Sequence, residues 1–270
     1  MIATRPGDTD KLREGGRRLA GILQELASAV RPGLVTADLD ALAERRIREA
    51  GGDPVFKGYR ARRGERPFPA SICTSINDEV VHAIPSRAHA LQAGDIIGID
   101  IGMRWPSSAD PARSGTEGRP AGLITDTAVT VPVGAVDPAS EKLLAVTASA
   151  LQRGIAVIRA GIRMGDLGHA IQQVIEAAGF FVVRGLVGHG VGRNLHEDPY
   201  VPNYGTPGEG MMLREGMVLA IEPMAAAGDP EVRLDPDGWT WRTRGGSRAA
   251  HFEHTVIITT HGAEVLTAAS

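Results

Sequence analysis

Apolar positions recur at helical spacing in four stretches of this chain, and the four come as two pairs. In the first, from about Thr9 to Val30, Leu12, Leu19, Ile22, Leu23 and Leu26 form an apolar stripe, and Arg31-Pro32-Gly33 closes the run. A second predicted helix covers about Thr36 to Ala50 and stops at Gly51-Gly52. The third opens at Asp137-Pro138, a capping side chain followed by proline in the first turn, and runs to Gly161. The fourth covers about Gly165 to Ala178 and stops at Gly179. Strand-like runs follow each pair.

The pairing is an internal repeat. RPGLVTADLDALAERRIREAG, from Arg31, aligns without a gap on RAGIRMGDLGHAIQQVIEAAG, from Arg159. The shift is about 128 residues, and about seven of some twenty-one positions agree. Gly33/Gly161, Asp38/Asp166, Leu39/Leu167, Ile47/Ile175 and Gly51/Gly179 are among the identities. Each half is expected to hold two helices and an antiparallel hairpin. Within the hairpins, Ile97, Ile99 and Ile101 take one face of a strand and Asp100 the other. Val218, Ala220 and Glu222 likewise share a face opposite Leu219 and Ile221.

The carboxylates on those strands change the picture most. Asp100, Asp126, Glu222 and Glu253, with His189, lie in the apolar or glycine-rich segments IIGIDIG, LITDTAVTV, VLAIEPM, AHFEHTVI and LVGHGVG. Taken singly, Asp126 reads as a hydrogen-bonded edge residue, His189 as part of a turn and Glu222 as a salt-bridged strand end. Together they need neutralising, because charge in an apolar strand is costly and four clustered carboxylates repel. Two divalent cations balance four negative charges and leave the imidazole a neutral ligand. Two metals a few ångströms apart acidify a water and polarise a carbonyl, which is hydrolytic chemistry. Oxygen and imidazole donors without thiolate fit Mn, Fe, Co or Zn.

Composition sets bounds on partners. At 270 residues and 43% hydrophobic content, one domain over residues 1–270 has enough apolar material for a substantial core. A net charge of −3 gives no overall pull toward DNA or an anionic membrane. The lone Cys73 rules out an intrachain disulfide and fits a reducing compartment. The polar start lacks a signal-peptide core, and no apolar run approaches the roughly 20 residues needed to cross a bilayer. A cytoplasmic monomer is expected.

The motifs FKGY, FPASICTSINDEVVHAIP, IGIDIG, TDTAVT, GHGVGRNLHEDP, GMVLAIEP and HFEHTV resemble, in content and order, those of type I methionine aminopeptidases, a branch of the pita-bread metallopeptidases. The resemblance runs from about Asp10 to Val265 and implies a mixed α/β fold of two pseudo-twofold halves around a curved antiparallel sheet. It implies Asp100 on one metal, Asp126 and Glu253 bridging, and His189 and Glu222 on the other. A metal-bridged hydroxide would then attack the scissile carbonyl, with Glu222 as general base and acid. His82 and His196 match two non-ligand histidines that contact substrate and stabilise the transition state. Tyr59, Phe68, Cys73, Leu195 and Trp239 match a methionine pocket, with Phe56 nearby. An aromatic slot with a sulfur neighbour suits a flexible thioether. The implied function is removal of the initiator methionine from nascent proteins whose second residue is small.

Two segments depart from that pattern. GMRWPSSADPARSGTEGRPAG, between Asp100 and Asp126, is longer than the usual turn and reads as a solvated hairpin tip, with a lid over the cleft or contact with a partner such as the ribosome as the alternatives. RARRGERP, between Tyr59 and Phe68, carries four arginines against one glutamate; a solvated face is the expected reading, with ribosomal RNA contact the alternative. Ala83 stands where the family usually has glycine. The Glu222–Glu253 segment is too short for the helical insertion of type II enzymes, and no zinc-binding extension precedes the catalytic region, so the bacterial form is expected. The rivals are an Xaa-Pro peptidase of the same fold and a pita-bread protein that binds without catalysing.

Overall fold

Helix α1 spans Asp8–Ala29 and α2 spans Thr36–Glu49, each within about one residue of the bounds expected from hydrophobic periodicity. They belong to a computed structural model that describes residues 2, 3, 5, 7–60, 64, 66–88, 90–108 and 122–268. Most of the proposed hairpin tip (109–121) and part of the arginine-rich segment (61–63 and 65) lie outside the described residues. Asp137 accepts the Ser140 backbone N–H at 2.9 Å and Pro138 sets the first turn, so α3 (Pro138–Val157) starts where the capping pattern put it. It ends sooner than the expected Gly161. Ile158 turns extended, and Ala160 donates its N–H to the Thr259 carbonyl at 3.2 Å, drawing the chain toward a strand end. Helix α4 covers Met164–Ala177.

The repeat survives in three dimensions. Helices α2 and α4 both have 14 residues. The repeated glycines Gly33, Gly51, Gly161 and Gly179 all have positive φ, between 75° and 96°. That region penalises any side chain, which explains why glycine holds the same place in both halves.

Between and after the helices run fifteen described strands. The first half contributes β1 (Asp53–Pro54), β2 (Ile72–Ile76), β3 (Glu79–Val81), β4 (Ile96–Trp105) and β5 (Leu123–Pro132). The second contributes β6 (Phe181–Val182), β7 (Gly188–Gly190), β8 (Glu197–Val201), β9 (Val218–Ile221) and β10 (Met224–Ala226). It continues with β11 (Val232–Leu234), β12 (Trp241–Thr243), β13 (Ala249–His251), β14 (Glu253–Ile258) and β15 (Ala263–Val265). A nine-stranded antiparallel sheet runs β1–β4–β5–β14–β9–β7–β8, with β2 beside β4 and β15 beside β14. The pseudo-twofold passes between β5 and β14. Strands β4 and β5 form a hairpin as expected, but β9 and β14 do not: their connection, residues 222–252, carries four more strands and no helix. Together with β6 and β3, those strands build two small sheets, β13–β10–β6 and β11–β12–β3, and in the latter β3 of the first half joins two strands of the second.

Strand alternation sorts the core. Ile97, Ile99 and Ile101 pack with Leu19, Leu26, Leu39 and Ile47 of α1 and α2. Leu219 and Ile221 pack with Leu143, Leu167 and Ile171 of α3 and α4. Each fully buried side chain of this kind contributes about 1.5–3 kcal/mol. With helices taking one face, the opposite face is left to hold the carboxylates. No helix among the described residues is long and apolar enough to cross a membrane.

Two glycines on α1 test this packing with opposite signs. A Cβ on Gly16 would collide with the Leu266 carbonyl, whereas one on Gly21 meets open space. Gly16→Ala is expected to destabilise by about 1–3 kcal/mol and Gly21→Ala to stabilise by up to about 1 kcal/mol in urea unfolding. Equal effects would contradict the docking of α1.

Candidate metal centre

Residues directly opposed on neighbouring strands point to one face of a sheet. Cys73 opposes Asp100, Asp100 opposes Ala128, and Ala128 opposes Glu253, a row across β2, β4, β5 and β14. Asp126 is two residues from Ala128 and faces the same way. On the other side of the pseudo-twofold, Ala220 opposes both His189 and Thr255, two residues from Glu222 and Glu253. The ladder therefore brings the four carboxylates and His189 to one face.

Glu222 lies one residue past β9, not within a strand as expected, because Pro223 has no N–H to continue the ladder. Its carbonyl is held instead by the Asn203 amide at 3.0 Å. The Nε2 of His189 stands 3.4 Å from Glu222 Oε1. A Cβ on Gly188 would press on the Glu222 side chain and the Ala220 backbone, so this close approach needs glycine beside the histidine. Donor atoms of Asp126, His189 and Glu253 all lie within 4.8 Å of one another. Asp100 comes within hydrogen-bonding reach of Asp126.

Burial controls the protonation of this group. All five side chains are buried, and Asp100 Oδ1 and Glu253 Oε1 have no hydrogen-bond partner. Burial pushes Asp100 up to about 7, against the opposing pull of His251 and with a smaller addition from the Glu222 charge. Burial raises Asp126 well above the ordinary carboxylate range, with the Asp100 and Glu222 charges adding to it. Glu253 is raised by burial and by Asp126, Glu222 and Asp100 in turn, and Glu222 by burial. His189 moves the other way, down to about 3, through burial and then the charge of His196. A neutral imidazole beside crowded, partner-poor carboxyls is a donor set that fits divalent cations.

The other candidate residues converge on the same place. Tyr59 O meets His196 Nδ1 at 2.6 Å, and the His196 ring stacks edge-on to His189 with centroids 4.3 Å apart. Burial holds His196 down to about 4, so the ring is neutral at pH 7. His82 follows β3 with φ at 61°, an uncommon conformation for a side-chain-bearing residue and of the kind that clusters at functional sites. Burial, then His196 and His251, hold it down to about 3. Phe68 and Trp239 pack edge to face at 5.3 Å, with Tyr59 6.4 Å from Trp239. Burial and the neighbouring Asp100 push the Cys73 thiol well up, so it stays protonated.

All of these residues line one cavity of about 880 Å³: Tyr59, Phe68, Cys73, His82, Asp100, Asp126, His189, Leu195, His196, Glu222, Trp239 and Glu253, with Phe56. Sequence reasoning missed other parts of the wall, including Met224, Leu234 and Trp241 from the two small sheets, and Tyr200 at the rim. It also missed His251, whose Nε2 lies 3.5 Å from Glu222 Oε2. Spacing offered a signal there, since His251 precedes Glu253 by two residues in HFEHTV.

The chain belongs to metallopeptidase family M24, whose profile matches residues 10–260. It is 43% identical over 267 residues to methionine aminopeptidase 1 of Bacillus subtilis, covering 99% of each chain. The solved structure of a methionine aminopeptidase from Thermotoga maritima superposes with a TM-score of 0.88 at 42% identity, again over 99% of each chain. An Xaa-Pro dipeptidase from Bacillus anthracis matches with a TM-score of 0.71 at 18% identity, over 100% of this chain and 62% of that one, and shares the fold alone. The architecture is the pita-bread fold expected from the sequence. Family and donor set together assign divalent-metal use to this chain.

Metal uptake should therefore release protons. Carboxyls held above their ordinary range must give theirs up, while His189, held down to about 3, has none to give. Calorimetric titration of metal-free protein with Mn²⁺ at pH 6, in buffers of different ionisation enthalpy, is expected to show release of about one or more protons per chain. Uptake without release would show that the carboxyls are already ionised.

Proposed function

We propose that this chain is a methionine aminopeptidase, a hydrolase that removes the N-terminal methionine from polypeptides whose second residue is small. The observation that carries the reading is the sharing of one cavity by five buried metal-donor side chains and a sulfur-and-aromatic slot. Asp100, Asp126, His189, Glu222 and Glu253 would hold a pair of divalent cations drawn from Mn, Fe, Co or Zn. Asp126 and Glu253 would be shared by the pair, Asp100 would serve one cation, and His189 with Glu222 would serve the other. Cations bound there would polarise the scissile carbonyl, acidify water near neutral pH and receive a free α-amino group, which favours an aminopeptidase.

The protein's own groups do the rest. Glu222 takes the proton of the attacking water and returns it to the leaving amine. Tyr59, donating to His196 Nδ1, leaves the ring proton on Nε2, from which His196 donates to the developing oxyanion. His82, fixed in its left-handed conformation at the cavity wall, contacts the substrate. Tyr59, Phe68, Cys73, Leu195 and Trp239 enclose the methionine side chain. Both halves supply donors through one sheet, which supports treating residues 1–270 as a single catalytic domain.

The polypeptide partners on this reading are nascent N-termini in the cytoplasm, met by a monomer. Ribosome contact would run through the arginine-rich segment at 60–67. Between Glu222 and Glu253 stand only strands and loops, which supports the bacterial type I form.

Metal-loaded protein is expected to cleave Met-Ala-Ser and to leave Ala-Pro peptides essentially uncut; preference for the latter would assign it to the Xaa-Pro peptidases, and binding without any cleavage would make it a non-catalytic relative. Glu222→Ala should lose measurable turnover. His196→Ala should lower kcat by about 100-fold, the usual effect of one oxyanion donor, with metal content intact. Loss of metal from the His196 variant would move that residue into the ligand set.

A further inference from the structure

The carboxylate of Glu222 is bracketed by two imidazoles. The Nε2 of His189 faces Oε1 at 3.4 Å and the Nε2 of His251 faces Oε2 at 3.5 Å. His189 belongs to the donor cluster with Asp126 and Glu253. His251 closes β13, is 3% exposed, and its Nε2 has no hydrogen-bond partner. A buried donor left unpaired is destabilising, and Glu222 Oε2 is the acceptor it faces.

The backbone of His251 is fixed independently of that contact. Its N–H donates to Thr130 Oγ1 at 2.9 Å, and the Thr130 hydroxyl donates back to the His251 carbonyl at 2.7 Å. Met224 opposes it on β10. The ring is thus carried on an anchored strand end, two residues before Glu253. Glu222 is anchored differently: Asn203 holds its carbonyl, which leaves the carboxylate plane free to turn about a broad terminal torsion.

We propose that His251 is a positioning residue for Glu222. Its Nε2–H donates to Oε2 and stops the carboxylate from rotating, so that Oε1 stays presented beside His189. His251 therefore acts through Glu222 on both metal retention and proton movement, without itself meeting the substrate. This role rests on reading Glu222 as a cation ligand and proton carrier.

The test uses the full chain carrying His251→Leu, which fills the space without a donor, and His251→Gln, whose amide N–H keeps one. Mn²⁺ titration of metal-free protein by calorimetry should show about a ten-fold or greater loss of affinity in the Leu variant, at unchanged stoichiometry, the usual scale for groups that orient a metal ligand. In the metal-loaded Leu variant, kcat on Met-Ala-Ser should fall about ten-fold with KM within about two-fold. The Gln variant should recover both to within about three-fold of the wild type. A loss of one bound Mn²⁺ per chain would make His251 a ligand and overturn the proposal, as would Gln and Leu variants that behave alike. If the Leu variant does not fold, His251→Asn replaces it: its shorter amide should fail to reach Oε2 and reproduce the ten-fold losses, and Asn behaving like Gln would overturn the proposal. Wild-type protein tested alongside separates the two readings, because wild type that neither binds Mn²⁺ nor cleaves Met-Ala-Ser fails the function itself, whatever His251 does.

Discussion

Mutual repulsion among four buried carboxyls is the constraint on which this structure depends. Asp100, Asp126, Glu222 and Glu253 stand on one face of a single sheet, and each has its pKa raised mainly by loss of water. A free chain would separate them. The antiparallel ladder prevents that, because cross-strand spacing is fixed by backbone hydrogen bonds rather than by the side chains it carries. The apolar packing of four helices against the far face supplies the stabilisation that holds the ladder together. Protons or cations must then neutralise the group, and the neutral, buried His189 beside it favours cations.

Duplication accounts for the distribution of roles. Each half brings two carboxylates, on antiparallel strands or, for Glu222, just past the end of one, and the halves meet at β5 and β14, so the site lies on the pseudo-twofold. The halves are not equal in what they add. The second half inserts β10 to β13 between its two carboxylates, and these strands form small sheets beside the main one. From them come His251, Met224, Leu234 and Trp241, while the Tyr59–His196 contact joins loops from both halves. The central sheet therefore supplies a rigid charge cluster, and the added strands and loops supply the walls that distinguish one substrate from another. Rigid strand positions suit metal donors, and irregular segments suit recognition.

The helices were readable because periodicity and capping are local. Asp137-Pro138 fixed the start of α3, and glycines marked the ends of α2 and α4. The end of α3 was not readable, since a hydrogen bond from Ala160 to distant Thr259 draws the chain away before Gly161. Strand alternation correctly put Asp100 opposite its flanking isoleucines. It could not show that Glu222 falls just beyond β9, where a proline interrupts the ladder. His251 escaped notice for a similar reason: β13 and β14 belong to different sheets with Phe252 between them, so two-residue spacing alone did not establish a common face.

By itself, the order of residues determined the helices, the duplication, the faces of the long strands and a set of acidic positions that needed neutralising. These are properties of neighbours along the chain, governed by 3.6- and 2-residue periods that hold in any context. Which carboxyls meet, how close His189 comes to Glu222, and that a second imidazole faces the same side chain were decided only by folding. Such distances depend on cross-strand register and on how two halves pack, and no local period encodes either.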